Sequence, residues 1–200
     1  MCIKDIMVCC MISDNHVARF IYEMGMLKRV SREGWKLAGI AMPESVAAHS
    51  LRAAQIGFIL ASMEGYDDPE HICTMLVFHD IGECRLGDIH KVGGRYISSD
   101  EQRAVKDQVK DLNDIGEKIL GLYDQIEIQE TPEGIIGKDA DLLEMAATAC
   151  EYKQQGYHGV DDWLKNTKKR LRTESAKNLF SALEQMDPVS WWDGLKKITF

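Results

Sequence analysis

The segment Val77 to His90 reads VFHDIGECRLGDIH, so a run bound for an apolar interior ends by delivering His79, Asp80, Glu83 and Asp88. Burying such charge is unfavourable unless an opposite charge compensates it, and a metal ion is the commonest compensation. Upstream, Val46, His49, Ala53, Ile56 and Leu60 recur at spacings of three and four, which puts His49 on the inner stripe of a helix. The next stripe is Ile72, Met75, Leu76, His79 and Glu83, with Asp80 one step round the cylinder. Two helices therefore each place an imidazole on a buried face, and Glu83, at i+4, shares the side of His79. Taken singly, His49 reads as a hydrogen-bonded core residue, the HD pair as chance and Glu83 as a solvated helix end. Together, two histidines and two acids in one core leave their desolvation unmatched without a cation. A stable site needs one further ligand, and GKDADLLEMAA offers Asp139 and Asp141. Periodicity favours Asp139, which continues Ile135 to Leu142, Leu143 and Ala146, without deciding between the two.

The elements that must position these residues are helical almost throughout, because apolar residues recur three and four apart and no alternating strand pattern appears. The expected fold is all-α. A first helix carries Val17, Phe20, Ile21, Met24 and Leu27 on one face. A second begins near Pro43 to Ser45 and runs to about Met63, with Gly65 as its stop. A third starts from Asp68-Pro69, an N-cap followed by proline at the first helical position, and continues through the HD pair. Ser98 and Glu101 have capping-box spacing and open a fourth, with Val105, Val109, Leu112 and Ile119 inward. Thr131-Pro132 announces a fifth, interrupted at Gly137 and running towards Tyr152. A last helix covers about Asp161 to Gln185, and Pro188 ends it.

With 200 residues, 45% hydrophobic and 28% charged, the chain can bury the core of one domain, expected over 1–200 with its centre at about 14–185 and an aromatic tail at 186–200. A net charge of -8 argues against duplex nucleic acid, which requires a basic face, and leaves a small anionic substrate open. Cys2, Cys9, Cys10, Cys73, Cys84 and Cys150 form no CxxC pair and read as reduced thiols. Lys4 and Asp5 interrupt the apolar start, and no run approaches the roughly 20 residues of a membrane span. A cytoplasmic location without membrane association is expected. His16, His71 and His158 lack partners at ligand spacing, the ten methionines are gap fillers, and KKRLR at 168–172 reads as a solvated helix face offset by Asp161, Asp162 and Glu174.

Gly34-Trp35, PESVAAHS at 43–50, HDIGE at 79–83, GDI at 87–89 and KDADLLEMA at 138–146 resemble the HD-domain metal-dependent phosphohydrolases, specifically the 5′-deoxynucleotidase branch, in the family's order. The resemblance spans about Leu27 to Tyr152. It implies an HD-domain helical bundle with the metal site between core helices, and one divalent ion (Mn, Co, Fe, Mg or Zn) held by His49, His79, Asp80 and Asp141. Asp141 is selected over Asp139 because Lys138 and Ala140 match the family's Lys-x-Ala pattern, and a break at Gly137 would reset the helical phase. Two nitrogens and two oxygens leave positions open for water and phosphate. By the same resemblance, Glu83 is the acid/base residue and Asp80 touches both metal and water. Trp35 lies against the sugar, Asp88 accepts its hydrogen bonds, and Ile89, His90 and Lys91 form the phosphate and sugar contact segment. Bacterial members carry a phosphate-orienting arginine directly before the tryptophan, where this chain has Gly34. Arg32 is near in sequence, and Lys91 is another cation.

The activity implied is release of phosphate from deoxyribonucleoside 5′-monophosphates by a homodimer. The alternatives are a phosphodiesterase or pyrophosphohydrolase using the same centre on another nucleotide, or a nucleotide-binding protein whose metal only staples helices. Glu83 speaks against the last, since a structural site needs no acid beside an open coordination position.

Overall fold

A computed structural model describes residues 12–195, so Cys2, Cys9, Cys10 and the last five residues of the aromatic tail lie outside the described residues. Within them the secondary structure is helical, with a single antiparallel bridge between Ser31 and Ser45. The longer helices are α1 (Asp14–Met24), α2 (Val46–Met63) and α3 (Pro69–Phe78), then a short α4 (Glu83–Leu86). There follow α5 (Glu101–Val109), α6 (Asn113–Glu127), α7 (Pro132–Gln154), α8 (Asp161–Arg170) and α9 (Glu174–Gln185). No helix among the described residues is long and apolar enough to cross a membrane.

Three starts follow their capping residues. Ser45, Asp68 and Thr131 accept from the backbone N–H of Ala48, His71 and Gly134, which fixes the first turns of α2, α3 and α7. Gly65, with φ 69°, turns the chain after α2, a backbone state that glycine adopts without strain. The centre is a slab in which α2 packs on α3 and α7, with α8 and α9 laid on α7. Its interior holds Leu60, Ile72, Met75, Leu76, Leu142, Leu143 and Phe180. A second cluster, including Phe20, Val105, Leu112 and Tyr123, joins α1, α5 and α6 to the turn after α3.

Several boundaries differ from the expected ones. α3 stops at Phe78, so His79 and Glu83 do not share a continuous helix; the chain tightens into turns in which Ile81 donates to Phe78 O and Glu83 to Asp80 O. Ser98 is no cap, because Asp100 accepts from Arg103 N at 2.9 Å and makes Glu101 the first helical residue rather than the third. The stripe from Val105 to Ile119 crosses two helices, since Asn113, with a positive φ of 48°, starts α6 after a short 3-10 turn without breaking the apolar spacing. The segment 161–185 divides at Leu171, whose extended backbone leads to Thr173, the cap of α9. Ile21 points outward, 56% exposed.

Gly137 does not interrupt α7. A Cβ there would meet Ile126 Cγ1 at 3.2 Å, so this glycine serves close packing of α6 on α7. Gly134 is tighter still, as a Cβ would lie 2.2 Å from Ile128 O and 2.8 Å from Gln125 O. Backbone cannot rotate away as a side chain can. Gly134→Ala is therefore expected to destabilise the protein by about 1–3 kcal/mol, read as a lower midpoint in thermal or urea unfolding.

Candidate metal centre

His49 lies one turn inside α2 and is fully buried. Its Nδ1 faces Glu144 Oε2 on α7, and Glu144 Oε1 accepts from Arg52 Nε at 2.9 Å and from Thr148 Oγ1 at 3.0 Å. A carboxylate held between those donors can only accept from the ring, so Nδ1 carries a proton. Against burial and the Arg32 charge, Asp141 and Glu144 push the ring's pKa up to about 10, so a cation at Nε2 would displace the second proton. His79 is oriented the same way by a different partner. As the C-cap of α3 it turns Nδ1 to Leu76 O at 2.7 Å, one of the carbonyls a helix end leaves over, and a carbonyl accepts only. Burial pushes its pKa down, outweighing Asp80 and Asp141, which keeps the ring neutral.

The two Nε2 atoms point at the same carboxylates. His49 Nε2 is 3.2 Å from Asp141 Oδ1 and 3.6 Å from Asp80 Oδ2; His79 Nε2 is 3.2 Å from Asp80 Oδ2 and 4.0 Å from Asp141 Oδ1. Both Nε2 atoms are buried without a hydrogen-bond partner among the described residues. Donor atoms of His49, His79 and Asp141 all lie within 4.8 Å of one another. Two orphaned imidazole nitrogens and Asp141 Oδ1, with Asp80 Oδ2 beside both rings, fit a borderline divalent cation. The acids are also held ionised. Burial would raise Asp141, but Lys138 at 2.6 Å and then His49 hold it well below the usual carboxylate range. Asp80 is likewise lowered against burial, by His79 and by Arg32 at 3.3 Å.

Glu83 opens α4 with Oε2 buried and without a hydrogen-bond partner among the described residues. Burial first, then Asp80 and Asp88, push its pKa up to about 9. Glu101 lies close by because Gly82 has no side chain: a Cβ there would meet Glu101 Cγ at 2.7 Å. Burial and Asp80 push Glu101 up to about 7.

Arg32, Trp35, Asp88, Ile89, His90 and Lys91 all line one cavity of about 340 Å³. Glu83 borders a neighbouring hollow that shares Ile89. Trp35 is only 2% exposed, with its indole stacked on Trp163 at 5.6 Å between ring centroids and set edge-on to Tyr152. His90 accepts from Gly93 N through Nδ1 at 3.0 Å, which fixes the turn that carries Lys91.

The HD domain family matches residues 24–184, a stretch that contains every one of these side chains. The chain belongs to the HD domain family. It is 33% identical over 151 residues to the 5′-deoxynucleotidase HDDC2 of Dictyostelium discoideum, covering 70% of this chain and 80% of the relative. The relative of the same name from Danio rerio is 30% identical over 145 residues, 70% of this chain and 71% of its own length. Among solved structures, a conserved hypothetical protein from Pyrococcus furiosus superposes with a TM-score of 0.69 at 27% identity, over 84% of this chain and 99% of its own. The protein is thus an HD-domain hydrolase, and the HD domain implies a divalent metal, which the His49, His79 and Asp141 group could bind.

Sequence reasoning passed over the HD domain's supporting residues. Glu144 and Arg52 lie three positions after Asp141 and His49; Glu144 backs His49 across the contact of α2 with α7, and Arg52 in turn holds Glu144. Arg52 also pairs with Glu151 at 2.6 Å. That spacing was the available signal. Trp163 and Arg170 were missed because they lie on a polar helix beyond the quoted motifs.

Proposed function

We propose that this HD-domain hydrolase is a metal-dependent phosphomonoesterase that releases inorganic phosphate from deoxyribonucleoside 5′-monophosphates. The observation that carries the reading is the convergence of two orphaned Nε2 atoms with Asp80 and Asp141, beside a buried carboxyl and next to a cavity of nucleotide size. The names of the Dictyostelium and zebrafish relatives favour the same substrate class. His49, His79, Asp80 and Asp141 would hold the ion. A divalent cation there supplies Lewis acidity, drawing charge from phosphate and making hydroxide available near neutral pH.

The chain's own residues do the rest. Glu144 and Leu76 O hold the two Nδ1 atoms so that both Nε2 atoms face inward. Lys138 holds the outer oxygen of Asp141, while Arg32 shares the inward Oδ2 of Asp80 with the two imidazoles; both cations limit the repulsion between the aspartates. Glu83, whose Oε2 has no competing hydrogen bond, takes the proton of the attacking water or returns one to the departing sugar oxygen. Asp88 accepts from the sugar hydroxyl, Trp35 bounds the sugar side, and Ile89, His90 and Lys91 form the wall next to the phosphate. The same reading takes 1–200 as one HD domain acting as a cytoplasmic homodimer.

The test is phosphate release by chelator-treated protein from a panel of ribo- and deoxyribonucleoside 5′-monophosphates, with Mn, Co, Fe, Mg or Zn restored singly. Release from deoxynucleotides in preference to ribonucleotides is expected. Turnover only of cyclic or pyrophosphate-linked nucleotides would replace the reading with another hydrolysis at the same centre. Glu144→Gln, which leaves the shape but weakens the hold on His49, is expected to lower ion affinity by about 10–100-fold in a competition titration.

A further inference from the structure

α8 forms one wall of the cavity. Trp163, Asn166, Thr167 and Arg170, spaced three and four apart, line it together with Asp162, so the helix offers an aromatic ring, an amide, a hydroxyl and, exposed at the far end, a guanidinium to the same space. The run KKRLR therefore does more than face solvent: its middle residue reaches the cavity. Trp163 and Arg170 stand seven residues apart, about 10 Å along the axis at 1.5 Å per residue. The two ends differ in surroundings. At the first, Trp163 stacks on Trp35 and lies 3.9 Å from where a Gly34 Cβ would be. At the other, Arg170 is within electrostatic reach of Lys91 and of Lys138, which itself holds Asp141 at 2.6 Å.

The cations of this region are not equivalent. Arg32 is engaged by Asp80 and Lys138 by Asp141. Among the described residues, neither Lys91 nor Arg170 has a carboxylate within ion-pair distance, although the chain carries an excess of acid. Two unneutralised cations beside one another in a cavity wall repel unless an anion lies between them. That crowding is felt: burial and then Arg170 and Lys138 lower the pKa of Lys91. Meanwhile the position before Trp35 has no side chain, and the indole of Trp163 occupies the adjoining space.

We propose that Arg170 is the cation that positions the substrate phosphate in this protein, reaching it from α8 in place of a cation at position 34. The inference rests on the phosphomonoesterase reading for its substrate and adds the residue that orients it. The bound nucleotide then runs along α8, with its phosphate at the Arg170 end beside Asp141 and its base towards Trp163. A guanidinium suits this task because its fork matches two phosphate oxygens.

The test separates anion binding from turnover. Inorganic phosphate is titrated calorimetrically into the Mn-loaded full chain as wild type, Arg170→Ala, Arg170→Lys and Lys169→Ala, the last removing an exposed neighbour on the same helix. Arg170→Ala is expected to weaken phosphate binding by about 10–100-fold, the loss of a charge-assisted contact, with Arg170→Lys recovering part and Lys169→Ala unchanged. In steady state with a deoxynucleotide, Arg170→Ala should raise KM far more than it lowers kcat. Equal phosphate affinity in wild type and Arg170→Ala, or no phosphate binding by wild type, overturns the proposal. Phosphate binding that depends on Arg170 without hydrolysis of any monophosphate would support the anion contact while removing the phosphomonoesterase reading.

Discussion

Glu83→Gln is expected to lower kcat for phosphate release by about 10²–10⁴-fold, the usual worth of a positioned acid/base group, while bound divalent ion and the unfolding midpoint stay at wild-type values. The separation of effects follows from where Glu83 sits. It follows the HD turn at the start of α4 and borders the neighbouring hollow, without reaching the imidazoles as Asp80 and Asp141 do. Its buried Oε2 makes no hydrogen bond among the described residues, so the amide breaks none there. Shape and volume are retained. What disappears is the capacity to exchange a proton, in a carboxyl that burial, Asp80 and Asp88 already dispose to hold one. Metal content by elemental analysis, kcat from free phosphate and a thermal scan check the three parts together. Unchanged kcat would remove Glu83 from the chemistry, whereas loss of metal would move it into the ligand set.

The sequence made the helical class legible, and with it the starts of α2, α3 and α7, because caps and apolar spacing are local signals. His49 and His79 were legible for the same reason: polar residues on otherwise apolar stripes. What escaped were features set by tertiary contact. The end of α3 at Phe78 depends on His79 turning back to Leu76 O, an interaction that competes with helix continuation and leaves the apolar pattern unchanged. Gly137 reads as a break in one dimension and proves to be a packing surface for Ile126 in three. The divisions at Asn113 and at Leu171 fall where stripes on either side happen to stay in phase. Trp163 and Arg170 belong to a mostly polar helix in which Leu164 marks the buried side. Nothing local says that the flank beside it lines a cavity, and only the fold of α8 over α7 shows that.

Asp139 and Asp141 give the sharpest contrast, and replacing each by asparagine should fail in a different way. Both are buried, and both lie on α7, which is enclosed on nearly all sides, so an apolar stripe carries no information about which one faces the ion. Asp139 turns away from the centre to the α8–α9 junction. Its carboxylate accepts from Arg172 N at 3.0 Å, Thr173 N at 2.7 Å and Thr173 Oγ1 at 2.9 Å, three donors that pin the start of α9. An amide there presents an N–H to at least one of those donors, and the expected result is a loss of about 1–3 kcal/mol of stability, with a Tm lower by a few degrees and with metal affinity kept in the folded protein. Asp141 instead aims Oδ1 at the two imidazoles, so Asp141→Asn would remove the anionic ligand proposed on α7. Ion affinity should fall by more than the roughly 100-fold upper range of a supporting residue, with activity following it and the metal-free fold intact. Paired metal titrations and urea unfolding curves on the two variants measure this directly. If Asp139→Asn were the variant that released the ion, the assignment of ligands on α7 would have to be reversed.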